Sequence, residues 1–219
     1  MELKSNTKFT GSYSSGKDST LAIYKAILMG FEPQSLIMTY NEDKNKTWFH
    51  GIDEKMIERL CDSLQIPIRL IRTSGKDYEM NFERVLKEER AKGAEVCVFG
   101  DIDIEEHLAW NTDRCNNADI KPLLPLWKKS REQVVYDFID SGFITYITVI
   151  DTQKMDAKYI GKQLTRELVA ELKSEGVDAC GENGEYHTFV CDGPLFSKPV
   201  EFNPGIPVFD GRYVRIKVL

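Results

Sequence analysis

The stretch GSYSSGKDST, Gly11–Thr20, gathers the residue types best suited to hold a phosphate. Gly11, four residues, Gly16 and Lys17 follow G-x-x-x-x-G-K, a spacing whose backbone N–H groups and lysine cradle phosphates. Asp18 then stands where that loop needs the Ser or Thr hydroxyl that holds magnesium. Three readings compete: a P-loop without its hydroxyl, a different phosphate loop, or a plain Ser/Gly turn leading into a helix cap. The context favours a phosphate loop. KFTGSY reads as a strand and Asp18 to Met29 as a helix closed by Gly30, so backbone donors and a helix N-terminus converge beside Lys17. Ser12, Tyr13, Ser14, Ser15, Gly16, Lys17, Asp18 and Ser19 are therefore candidate phosphate ligands, with Tyr40 at the end of the second strand and His50 after it as candidates at the pocket's edge. A satisfied structural histidine is the competing reading of His50.

Two later stretches are as polar as this one. FGDIDIEEHLAWNTDRC places Gly100, Asp101 and Asp103 at the C-terminal end of an apolar strand, where open α/β sheets bind ligands. Glu105, Glu106 and His107 open the next helix, and the helix dipole alone accounts for the two glutamates. CGENGEYHTFVCDGPLF sets Glu182, Asn183, Gly184, Glu185, Tyr186, His187 and Thr188 ahead of an apolar strand. Such a cluster suits a substrate site, or a solvated hairpin turn.

SSGKDS resembles the SGGKDS signature of N-type ATP pyrophosphatases, the PP-loop superfamily, with Ser15 in place of one glycine. That resemblance selects the second reading: a different phosphate loop, gripping the β and γ phosphates and leaving the α-phosphate open to attack. If the family glycine serves a positive φ, Ser15 carries a cost. All three stretches in order, with PLLPLWKKSREQVV and DGPLF, resemble the diphthine–ammonia ligase family over nearly the whole chain. Asn183, His187 and the DIEEHLAW continuation resemble its bacterial branch, which implies a carboxylate other than diphthine as substrate.

The resemblance implies an N-terminal Rossmann-like, HUP-type ATP domain over residues 1–120 and a smaller α+β substrate domain over 121–219. It implies ATP and Mg²⁺ as cofactors, and a carboxylate plus ammonia or an amine as partners. The acid would be adenylated with loss of pyrophosphate, then captured as an amide. Lys17, Asp18, Asp101 and Glu185 are the catalytic candidates, and Asp18 and Asp101 the metal ligands. Gly100 joins the nucleotide candidates, while Asp101 and Glu182 to Thr188 line the substrate side. His187 is a candidate general base for the amine. The rivals are a tRNA-thiolating enzyme, for which the cysteines lack the spacing, and a non-catalytic ATP sensor, which would need no second polar cluster.

The elements that position these residues alternate. SLIMTY and IRLI read as further strands, separated by a helix with Met56, Ile57, Leu60 and Leu64 on one face. Phe82, Val85, Leu86 and Glu89 mark another helix ending near Gly93, and EVCVFGD a strand buried on both faces. Strands separated by helices predict a doubly wound parallel α/β layer. After the prolines of NNADIKPLLPLW, a capping box at Ser130 and Gln133 opens a helix that Gly142 follows. FITYITVI is expected as a strand, Ile160 to Glu175 as mostly helical, and RYVRIKVL as a half-buried strand.

The bulk properties exclude little else. With 219 residues, 42% of them hydrophobic and 29% charged, the chain reads as an ordinary globular protein. A net charge of −6 argues against a broad nucleic-acid groove. No stretch approaches the roughly 20 apolar residues of a membrane span, and MELKSNTKFTG has no apolar core of a signal peptide. Five scattered cysteines, Cys61, Cys97, Cys115, Cys180 and Cys191, fit reduced thiols and a cytoplasmic location. A homodimer is compatible with this reading.

Overall fold

The first half of the chain folds as the alternation requires. The computed structural model describes residues 5–48 and 50–218. Strands β1 (Lys8–Ser12), β2 (Glu32–Asn41), β4 (Ile68–Thr73), β5 (Val96–Val98) and β6 (Lys121–Leu123) run parallel in the order β4-β2-β1-β5-β6. The two-residue β3 (Lys46–Thr47) folds back antiparallel on the end of β2. Strand order reverses direction at β1. With right-handed crossovers, helix α1 (Lys17–Leu28) then covers one face, and α3 (Tyr78–Ala91) and α4 (Glu105–Asn116) the other. Phe82, Val85 and Leu86 of α3 and Cys115 of α4 pack with Ile37, Ile71, Cys97 and Phe99 into one apolar core. The expected apolar faces are the buried ones, and this is the Rossmann-like layer that the pattern predicts.

The second half builds a separate antiparallel sheet in the order β8-β7-β10-β9, from β7 (Ile144–Asp151), β8 (Tyr186–Asp192), β9 (Val208–Asp210) and β10 (Tyr213–Arg215). Helices α5 (Arg131–Asp140) and α6 (Arg166–Ser174) bury Val134, Val135, Phe138, Leu168, Val169 and Leu172. By its contacts the chain divides into two units: Met1–Ser14, Asp18–Trp48 and Gln65–Lys128 in one, Ser15–Lys17, Phe49–Leu64 and Lys129–Leu219 in the other. Helix α2 (Glu54–Leu64) thus belongs to the second unit, where Ser63 bonds Ser197 and Lys198.

Several expectations need correction. Ile160 to Glu175 is helical only from Arg166. Before it, Ile147 and Thr145 of β7 exchange backbone hydrogen bonds with Gly161, Lys162 and Leu164, and Thr165 then caps α6 by accepting from Leu168. The sheet's offer of backbone partners outweighs local helix propensity there. The capping box is half made. Ser130 accepts from the Gln133 amide at 3.1 Å, but the Gln133 side chain turns to Asp137 instead of reaching back. Finally, Lys121–Leu123, read as a proline-broken connection, is the edge strand β6, and Pro122 is tolerated because an edge strand has one unpaired side. The last strand ends at Arg215, although the alternation persists, with Val214, Ile216 and Val218 all buried.

Candidate functional site

The loop after β1 leaves the parallel sheet at the point where strand order reverses, beside the loop after β5, and open α/β sheets take ligands there. Gly100 lets the β5 loop approach α1. A Cβ at this position would lie 2.7 Å from the Ser19 nitrogen and 2.8 Å from the Asp18 carbonyl carbon. In the first unit, Ser12 ends β1, and Tyr13 extends the ladder by donating its N–H to the Ile37 carbonyl at 2.8 Å. Tyr13 itself is a core residue whose phenol burial pushes well above its ordinary value. Tyr40 is likewise buried, with the Arg72 guanidinium 5.1 Å from its ring centre. The Ser19 hydroxyl accepts from the Ser14 amide at 3.2 Å and shares a hydrogen with the Ser14 hydroxyl at 3.1 Å. Asp18 lies half-buried in the first turn of α1.

Asp101 has both carboxylate oxygens engaged by α4. Oδ1 lies 2.9 Å from His107 Nδ1, and Oδ2 accepts from Asn111 Nδ2 at 2.7 Å. The composition of this stretch identified Asp101 and left Asn111 unremarked, because an asparagine inside a helix carries no local signal.

The middle of the loop, Ser15–Lys17, belongs to the second unit, with β8. Ser15 has φ 67°, the left-handed region, and is fully buried. A serine there carries a strain of about 1–2 kcal/mol, which explains the glycine of related loops. Its carbonyl accepts from the Val190 N–H at 2.9 Å. The Lys17 N–H donates to Thr188 Oγ1 at 3.1 Å, and Lys17 Nζ lies 5.6 Å from the centre of the Tyr186 ring. Tyr186 and Thr188 share one face of β8, as period-two alternation requires, and His187 points the other way. The outer edge of β8 is closed as well: His50 Nδ1 lies 2.8 Å from the Thr188 carbonyl. A carbonyl only accepts, so the proton sits on Nδ1.

The turn before β8 organises itself. The Glu185 carboxylate accepts from the Asn183 amide at 3.1 Å and from Asn183 Nδ2 at 3.0 Å, and the Asn183 side-chain oxygen accepts from Arg131 at 2.9 Å. Glu185 is buried and therefore shapes the 181–185 turn. Gly181 is needed there, with φ 72° and the Tyr186 ring about to meet any Cβ at 2.9 Å. Glu182 is half-buried and Gly184 turns the chain with φ 81°. The Tyr186 hydroxyl donates to the Ala179 carbonyl at 2.6 Å.

His50 and His187 stand edge to face with ring centres 5.4 Å apart. Burial pushes His50 down to about 3, helped by His187, Lys17 and Arg215, against the Thr188 carbonyl bond that favours its proton. Arg215 reaches this row because Val149 pairs with it on one side and with His187 on the other. An unfolded His50 titrates near 6.5, so it takes up a proton between pH 6.5 and about 3 while the folded one does not. Stability from this group is full above pH 6.5 and falls as pH falls. Between pH 6.5 and pH 5 the loss is about 1–2 kcal/mol. His50→Asn, which keeps a donor for Thr188, should lose less stability than the wild type over that interval in urea denaturation. Equal losses would show that His50 does not titrate as an isolated buried base.

Among the described residues, no helix is long and apolar enough to cross a membrane. Cys97, Cys115, Cys180 and Cys191 are buried, as small core residues are.

Comparison with known proteins matches residues 7–122 to the diphthamide synthase N-terminal domain and residues 130–216 to the diphthamide synthase C-terminal domain. Human diphthine–ammonia ligase is 34% identical over 90 residues, 39% of this chain and 34% of that protein. The Schizosaccharomyces pombe diphthine–ammonia ligase is 23% identical over 222 residues, 88% of this chain and 36% of that protein. The chain spans about a third of the length of these curated relatives. A solved structure of a predicted subunit of tRNA methyltransferase from Methanocaldococcus jannaschii aligns over 88% of this chain and 100% of that one, at 16% identity and a TM-score of 0.47. With family matches that together take in both halves, the chain belongs to the diphthamide synthase family.

Proposed function

We propose that this protein is an ATP-dependent, amide-forming ligase. A substrate carboxylate attacks the α-phosphorus of ATP, the bond to the bridging oxygen breaks, and pyrophosphate leaves with its electron pair. Ammonia or another amine then attacks the acyl carbon of the adenylate. AMP leaves and the nitrogen loses one proton, giving the amide. The observation that carries this reading is the position of the Gly11–Ser19 loop at the C-terminal end of β1, where the parallel sheet reverses order. The names of the relatives, which pair diphthine with ammonia, support the reaction class.

Within this reading, the Lys17 ammonium and the first-turn amides of α1 neutralise charge growing on the departing pyrophosphate, and the lysine stands in place before reaction. Asp18 fits a hard divalent cation, since it offers a half-buried carboxylate in that same turn. Asp101 fits less well, because His107 and Asn111 already occupy both of its oxygens. Bound Mg²⁺ would supply neutralisation of the phosphate oxygens. The Glu182–Tyr186 turn receives the acyl substrate, with Glu185 and Asn183 holding its shape.

Product analysis tests the reading. The protein with ATP, Mg²⁺, ammonium chloride and a panel of carboxylates, a diphthine-bearing protein among them, should release AMP and pyrophosphate in equal amounts. ADP and orthophosphate as the main products would return the P-loop reading to first place.

A further inference from the structure

We propose that Thr188, on strand β8, is itself a phosphate ligand: its hydroxyl accepts the Lys17 N–H and donates its own proton to a phosphate oxygen of ATP. This rests on the proposal above that the loop binds ATP. A threonine hydroxyl has one proton and two lone pairs. The Lys17 amide, 3.1 Å away, occupies a lone pair, and its hydrogen repels the hydroxyl proton towards the opposite side. Thr188 is 3% exposed. Among the described residues, none accepts that proton, and a buried hydroxyl normally has an acceptor.

The surroundings select an anion as the missing acceptor. Lys17 is the first residue of α1, at the positive end of the helix dipole. Its ammonium addresses the same face of β8 as the hydroxyl, through the Tyr186 ring. A carbonyl or carboxylate from the chain would have satisfied Thr188 permanently; the hydroxyl instead meets only the backbone N–H of a buried lysine, 5% exposed. The Thr188 backbone is held as well, through His50 Nδ1 on its carbonyl, so the hydroxyl is fixed before any ligand arrives. Charge on the phosphate would strengthen both bonds of the Lys17 N–H to hydroxyl to phosphate chain.

The test is calorimetry of Mg–ATP, tripolyphosphate and adenosine against wild type, Thr188→Val and Thr188→Ser. A hydrogen bond to a charged oxygen predicts that Thr188→Val binds ATP and tripolyphosphate about tenfold more weakly or worse. Thr188→Ser, which restores the hydroxyl, should recover most of that loss, and adenosine binding should not separate the three proteins. A loss shared by the serine variant, or equal ATP and tripolyphosphate affinity in the valine variant, overturns the proposal. Failure of the wild type to bind ATP overturns the nucleotide reading itself, so the two failures are told apart.

Discussion

Replacing Gly100 by alanine is expected to destabilise the protein by about 3 kcal/mol, near the upper end for an overpacking substitution. Gly100 is not in the left-handed region, so the reason is space alone. The added methyl would meet the Ser19 nitrogen at 2.7 Å, the Asp18 carbonyl carbon at 2.8 Å and the Ser19 Cα at 2.9 Å. These are backbone atoms of the first turn of α1, which no rotamer change can move aside. Either β5 and α1 separate or the first turn of the helix unwinds, and both displace the N–H groups next to Asp18. Urea denaturation should therefore show a lower midpoint, and calorimetry a weaker affinity for ATP. A variant with wild-type stability would mean that the β5 loop yields without disturbing the helix.

Lys17→Ala is expected to weaken ATP binding about 10- to 100-fold, or roughly 1.4–2.8 kcal/mol. The side chain is 5% exposed, so its charge acts with little solvent screening. Its ammonium is braced against the Tyr186 ring, whose hydroxyl is in turn fixed on the Ala179 carbonyl. Lys17→Arg should rescue poorly, because a planar fork does not occupy the volume of a compact ammonium. Adenosine affinity should change little in either variant. Equal ATP affinity in wild type and Lys17→Ala, measured by calorimetry, would remove this loop from the nucleotide site.

Much of the architecture follows from local pattern. The faces of α2 and α3 were legible because apolar spacing near 3.6 residues requires a buried stripe. Ser130 was legible as a cap because its hydroxyl needs only the amide of Gln133, three residues on. The short strands β3, β6 and β9 were not legible. Two or three residues have too few alternations to register, and Val208 and Phe209 of β9 are exposed against type. Their pairing is decided by a neighbouring strand, not by their own composition.

The candidate site divides along the same line. Sequence by itself determined that a Ser/Gly-rich, lysine-bearing loop follows the first strand and that a polar, glycine-bearing turn precedes β8, since both are contiguous runs of residue types with known backbone needs. Only the tertiary structure decided what each residue touches. Lys17 and Thr188 lie 171 positions apart, and no periodicity relates them; the antiparallel register of β8 with β7 leaves its outer edge to Ser15 and His50. That register also sorts the turn, placing Tyr186 and Thr188 with Lys17 while Glu185 bonds back to Asn183. Residue type states which bonds a side chain can make; which it does make depends on the partner that long-range pairing brings within about 3 Å.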